Sequence, residues 1–202
     1  MVRTYEQRIG LDMKRIVLTG GPGAGKTVIS QRLAAEYADR LVLVPEAATQ
    51  VYSALRSRWD RLDLAGRRDV QRRIYRHQID QEDRIAAANP GKILLLDRGT
   101  IDGAAYWPEG PDEYWRDLGT TLANELKRYD AVIWLQTAAA IRIYDGSDSN
   151  ACRFEDADAA VRSGEVLKNL WRDHPRFLTI DAHILLDDKV NAIRRTILEL
   201  LG

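Results

Sequence analysis

Apolar residues in this chain gather into five short runs, separated by longer stretches of mixed charge. The runs fall at 14–19, 41–45, 92–97, 131–135 and 176–180, and they are rich in Val, Ile and Leu. Runs this short, bounded by Gly, Pro or Asp, predict strands. The segments between them carry apolar positions at helical spacing over 26–37, 47–58, 67–88, 111–128, 156–173 and 188–200. Asn89-Pro90-Gly91 ends the third helix, because Pro and Gly cannot continue it. Continuous apolar runs, rather than alternating ones, describe strands covered on both faces. Strands alternating with helices then predict an α/β three-layer sandwich: a five-stranded parallel sheet flanked by helices. In such sheets ligands bind at the carboxyl ends of the strands. The 202 residues fit one domain over 14–202. Residues 1–13 are polar and aperiodic and read as a flexible leader, while the Gly/Ser/Asp/Asn-rich stretch within 142–155 reads as a lid-like loop.

Charge narrows the partners. Thirty basic and thirty acidic residues cancel, which argues against a nucleic-acid binder. No apolar stretch approaches the ~18 residues that cross a bilayer, so no membrane partner is expected. The start of the chain lacks the apolar core of a signal peptide, and Cys152 is the sole cysteine. A cytoplasmic protein without an internal disulfide is the expectation.

The chemistry concentrates at the strand ends. After the first strand, Gly20-Gly21-Pro22-Gly23-Ala24-Gly25-Lys26-Thr27 fits G-x-x-x-x-G-K-[ST] at every defined position. Glycines let the backbone curl so that successive N–H groups point inward as an anion nest, and the following helix adds positive partial charge. Lys26 supplies a full charge for the β- and γ-phosphates, and Thr27 offers a hydroxyl to Mg²⁺. The predicted ligands are therefore ATP and Mg²⁺. The third strand ends in Asp97, where an acid can hold Mg²⁺, often through water. Arg98 can clamp a phosphate, or pair structurally with Asp97 or Asp102. Glu46 ends the second strand. It can accept the proton of an acceptor hydroxyl, or serve as a helix N-terminal acid.

Together, the strings GGPGAGKT, PEAA, LLLDRGTIDGAAYW and NACRFE resemble a P-loop AAA-domain ATPase and kinase family. That family includes nicotinamide riboside kinase domains and the nucleotide-binding domain of the fly channel-trafficking protein (TRPL translocation defect). The layout is also similar to deoxynucleoside and thymidylate kinases, and the resemblance spans residues 14–200. It implies a nucleotide-kinase-like domain in which Glu46 is the general base, Asp97 the Mg²⁺ partner and Arg98 a phosphate ligand. It further implies that Asp102 and Tyr106 line the acceptor pocket. Arg153 would close over the triphosphate as part of a lid, with Arg142 a second lid candidate. Two features depart from the deoxynucleoside kinases. Asp97-Arg98-Gly99 stands where they carry Glu-Arg-Ser, and Asp145 and Asp148 lie between Arg142 and Arg153.

Other residues have plainer readings beside the functional ones. Tyr106, Trp107, Tyr114 and Trp115 can stack on a planar base or belong to the core. Trp134 and Trp171 read as core. No His/Cys cluster has zinc spacing. Arg67, Arg68, Arg72, Arg73 and Arg76 make a basic helix face, either solvated or an anion or partner surface. No N-K-x-D for guanine occurs, and a ring-forming motor would need a further helical domain. Two function classes remain. One is a Mg-dependent kinase transferring the ATP γ-phosphoryl group to a nucleoside-like or other small-molecule hydroxyl. The other is a nucleotide-binding regulatory ATPase with no such acceptor.

Overall fold

The strands form where apolar side chains can be buried on both faces of a sheet. In the computed structural model, which describes residues 15–141 and 157–202, β1 (Arg15–Thr19) is the central strand. It pairs in parallel with β3 (Ile93–Asp97) on one side and β4 (Ala131–Leu135) on the other. Strand β2 (Leu41–Val44) extends the first side and β5 (Phe177–Ile180) the second, giving the order β2-β3-β1-β4-β5. All five strands are parallel, as predicted. The leader 1–13, the lid-like loop and its Arg142 and Arg153 lie outside the described residues.

Alternate residues of each strand serve opposite cores. Ile16 and Leu18, with Leu95, Ile133 and Leu135, pack under α1 (Lys26–Glu36) and α7 (Leu186–Leu201) through Ile29, Leu33, Ile193 and Ile197. Val17, with Leu94, Leu96 and Val132, faces Ile101, Tyr114, Tyr129 and Trp171 on the other side. Each such side chain contributes about 1.5–3 kcal/mol when fully buried. This two-sided burial explains why the strands read as unbroken apolar runs.

Helix boundaries depart from the apolar pattern where local capping intervenes. Helix α2 (Ala47–Leu55) stops three residues early, where Arg56 takes a left-handed conformation at φ 48°. Helix α3 (Leu64–Ala88) starts three residues before the predicted 67 because the Asp63 carboxylate accepts from the Gly66 N–H, a side-chain cap. The span 111–128 is two helices, α4 (Pro111–Leu118) and α5 (Leu122–Leu126). Gly119 ends α4 at φ 68°, and the Thr121 hydroxyl caps α5. Helix α6 (Ala157–Trp171) returns the chain to β5.

Three arginines of the basic face of α3 are paired with acids, two of them distant in sequence, which disfavours an anion surface there. Arg68 pairs with Glu109, Arg72 with Asp117 and Arg73 with Asp69, while Arg67 lies over the Trp59 ring. The opposite face buries Gln71, Gln78, Gln81 and Glu82 rather than a purely apolar stripe. Trp107, Tyr114 and Trp115 form an edge-to-face aromatic cluster in the second core, not a stacking platform. Trp134 and Trp171 are buried as predicted.

Candidate functional site

The loop between β1 and α1 is held by close packing that only glycine permits. A Cβ on Gly20, whose φ is 140°, would lie 2.2 Å from the Leu135 carbonyl oxygen. One on Gly21 would lie 2.4 Å from Ala160 O, because α6 presses its Ala160 and Gly164 against the loop. Helix α1 begins at Gly25 with no side-chain cap and no acid in its first turn. Its first N–H groups are thus left for an anion. The outer carbonyls of the loop are tied down. Pro22 O accepts from the Thr137 hydroxyl at 2.5 Å, and Gly23 O from the Ala138 N–H at 3.3 Å.

Lys26 is buried, and its ammonium donates to Gly20 O and Gly21 O, both at 2.9 Å. Burial, and then the nearby Arg98 guanidinium, push its pKa down to about 7, against the opposing pull of Asp97, Glu46 and Asp102. The Thr27 hydroxyl donates to Asp97 Oδ2 at 2.6 Å, joining α1 to the end of β3. Asp97 Oδ1 is buried and has no hydrogen-bond partner. Burial and the neighbouring Glu46 raise the Asp97 pKa, opposed by Lys26, Thr27 and Arg98. An orphaned buried carboxylate oxygen beside a threonine hydroxyl fits Mg²⁺ or one of its waters. Mg²⁺ uses few protein ligands at such sites and takes the rest from phosphates and water.

Arg98 follows in a left-handed conformation at φ 78°, unusual for a residue with a side chain. That turn sends its guanidinium into the crevice beyond the sheet. Nε donates to Glu46 Oε1 at 2.7 Å and Nη1 to Asp102 Oδ2 at 3.0 Å, with the Tyr106 ring 5.7 Å away. Burial works against its charge, but Tyr106, Glu46 and Asp102 hold its pKa well above the usual arginine value. Of the two structural pairings considered from the sequence, Asp102 is realised. Arg98 makes its other ion pair with Glu46.

Glu46 immediately precedes α2 and accepts from Arg98 on one oxygen and from the Thr49 hydroxyl, at 2.6 Å, on the other. Glu46, Arg98, Asp102 and Tyr106 all line one cleft, between α3 and the turn after β3. Gln71, Tyr75 and Gln78 of α3 line it too. Asp102 also serves the scaffold. Its carboxylate accepts from Thr19 Oγ1 at 2.9 Å and from Trp171 Nε1 at 2.7 Å, which ties α6 to β1. Replacing Asp102 with alanine leaves the buried Arg98 guanidinium with Glu46 alone and strands a hydroxyl and an indole N–H. It is expected to destabilise the fold by roughly 3–5 kcal/mol, measured by urea unfolding.

The structure thus brings Lys26, Thr27, Glu46, Asp97, Arg98, Asp102 and Tyr106 to one end of the sheet. Arg153 falls outside the described residues. Sequence reasoning missed Thr49, Gln71, Gln78 and Lys189. The first follows Glu46 by one helical step, and the glutamines share a face at helical spacing with Glu82.

A parallel α/β sheet with this loop and a Thr–Asp pair at its carboxyl edge defines a P-loop nucleotide-binding domain. A family model described as an AAA domain (AAA_28) matches residues 15–184, and the chain belongs to that family. No curated protein matches the chain. Among solved structures it is similar in fold to NadR protein in complex with NAD and AMP-PNP. The TM-score is 0.66 at 19% identity, covering 94% of this chain and 50% of the other. The chain therefore spans half the length of that neighbour. Among the described residues no helix is long and apolar enough to cross a membrane.

Proposed function

We propose that this domain is a Mg-dependent kinase that transfers the γ-phosphoryl group of ATP to a hydroxyl of a nucleoside-like or other small molecule. The observation that carries this reading is the convergence of Glu46 and Arg98 on one cleft, next to the Thr27–Asp97 pair that joins the phosphate loop's helix to β3. A pure nucleotide binder needs the phosphate loop; it does not need a carboxylate and a guanidinium lining a second cleft. In the reaction, the nest and Lys26 hold the triphosphate, and Arg98 steadies charge on the transferring group. The acceptor oxygen bonds to the γ-phosphorus as the bond to the β-phosphate oxygen breaks, releasing ADP. The acceptor's proton passes to Glu46. A carboxylate offers about four acceptor positions, so a substrate hydroxyl can join Arg98 and Thr49 there. Thr27 and Asp97 would hold Mg²⁺, which when bound neutralises phosphate charge. The amide of Gln71 and the phenol of Tyr106 suit an acceptor with polar, uncharged edges, while the Gln78 amide is spent on Glu82, Gln81 and the Arg98 carbonyl.

The nucleotide-bearing structural neighbour supports the donor half of this reading. The test is ADP release from Mg-ATP, with nucleosides, nicotinamide riboside and sugars offered singly. Turnover that depends on one acceptor class is the expected result. Slow turnover that is equal with and without every acceptor would overturn the kinase and leave a regulatory ATPase.

A further inference from the structure

A buried lysine of the last helix touches the phosphate loop from behind. Lys189, one turn into α7, is 5% exposed. Its ammonium donates to Ala24 O at 2.9 Å and to Gln136 O at 2.5 Å. Lysine is seldom buried without a counter-ion. Here, among the described residues, no acid offsets it: burial alone acts on its pKa, lowering it to about 8. The cation remains largely protonated near neutral pH. It also stands at the start of a helix, where the helix dipole disfavours positive charge. Three unfavourable terms meet in one residue. Neutral donors satisfy the two neighbouring loop carbonyls, whereas Ala24 O and Gln136 O take a charged one. Thr137 holds Pro22 O and Ala138 holds Gly23 O.

The three anchored carbonyls are consecutive. In a trans peptide the C=O and the following N–H point in opposite directions. Fixing Pro22, Gly23 and Ala24 oxygens outward therefore turns the N–H groups of Gly23, Ala24 and Gly25 to the other side. In a loop of this kind that side is the anion nest. A cation on the oxygen end of a peptide polarises it and strengthens the donor at its nitrogen end. The counter-charge that Lys189 lacks in the protein is then the polyphosphate on the far side of one peptide plane.

We propose that Lys189 is a positioning residue of the phosphate site, whose charge orients and polarises the Ala24–Gly25 peptide toward a bound nucleotide phosphate. This rests on the nucleotide-binding reading above. The test compares the wild type with Lys189→Gln, which keeps a donor and removes the charge, and Lys189→Arg, which keeps the charge. Mg-ATP affinity is read by calorimetry, and thermal melting is read without nucleotide. The expected result is about a tenfold weaker Mg-ATP affinity in the glutamine variant, matching the gap between charged and neutral hydrogen bonds. Its nucleotide-free melting should be close to wild type, and the arginine variant should retain affinity. Unchanged affinity in Lys189→Gln overturns the proposal. So does a glutamine variant that fails to fold while Lys189→Arg folds, because the charge would then serve the scaffold. A wild type without Mg-ATP affinity would instead sink the nucleotide reading itself.

Discussion

Lys26→Ala is expected to lose tight Mg-ATP binding, by roughly 10²–10³-fold in calorimetric affinity. The reason is more than a missing charge. In the free protein the ammonium is buried against two loop carbonyls, with its pKa lowered to about 7 by burial and Arg98. A polyanion favours the protonated form, so binding draws a proton onto Lys26 above neutral pH. Wild-type affinity should therefore fall as pH rises from about 7.5 to 9, a range in which ATP itself is fully ionised. The alanine variant should show a flatter profile. Stability runs the other way. Unfolded Lys26 titrates near 10.5, above its folded value, so the unfolded state binds more protons between pH 7 and 10.5. Wild-type stability should rise with pH across that window, and the variant should lose part of the rise. Lys189, displaced in the same direction, adds to the rise. An alanine variant that binds Mg-ATP like the wild type would remove the loop from the nucleotide site.

What could be read from the residues divides by distance along the chain. The strands, the phosphate loop and the acids at strand ends were legible because each depends on neighbours within a few positions. Even the missed boundaries carried local signals: Asp63 three residues before Gly66, and Gly119 followed by Thr121. The partners of Arg98 were open because the choice depends on a left-handed turn and on where Glu46 falls across the sheet. The pairing of Arg68 with Glu109 and of Arg72 with Asp117 spans 41 and 45 residues, beyond any helical spacing rule. Trp171 shows a milder limit. Its burial was foreseen, but its hydrogen bond to Asp102 links α6 to the crevice and follows only from the folded geometry. Lys189 gave no signal at all, since a lysine in the first turn of an amphipathic helix ordinarily points to water.

Glu46→Gln should separate binding from transfer. The replacement is nearly isosteric, and its amide can keep both present contacts: the carbonyl accepts from Arg98 Nε, and the amino group donates to Thr49 Oγ1, which can accept in its turn. Arg98 retains its pair with Asp102. The local fold and the phosphate loop are therefore expected to survive, with Mg-ATP affinity within about twofold of wild type. What disappears is a group able to take the acceptor's proton. Single-turnover transfer at saturating Mg-ATP and acceptor should fall by roughly 10²–10⁴-fold. A drop in kcat without a matching rise in KM for ATP would place the loss in the chemical step. Acceptor-independent ATP hydrolysis, where water replaces the substrate hydroxyl, gives the needed contrast. If hydrolysis and transfer fall together, Glu46 serves the nucleotide site as a whole. If transfer is unchanged, the carboxylate is only the anchor that Arg98 and Thr49 require, and the base must be sought elsewhere along the cleft.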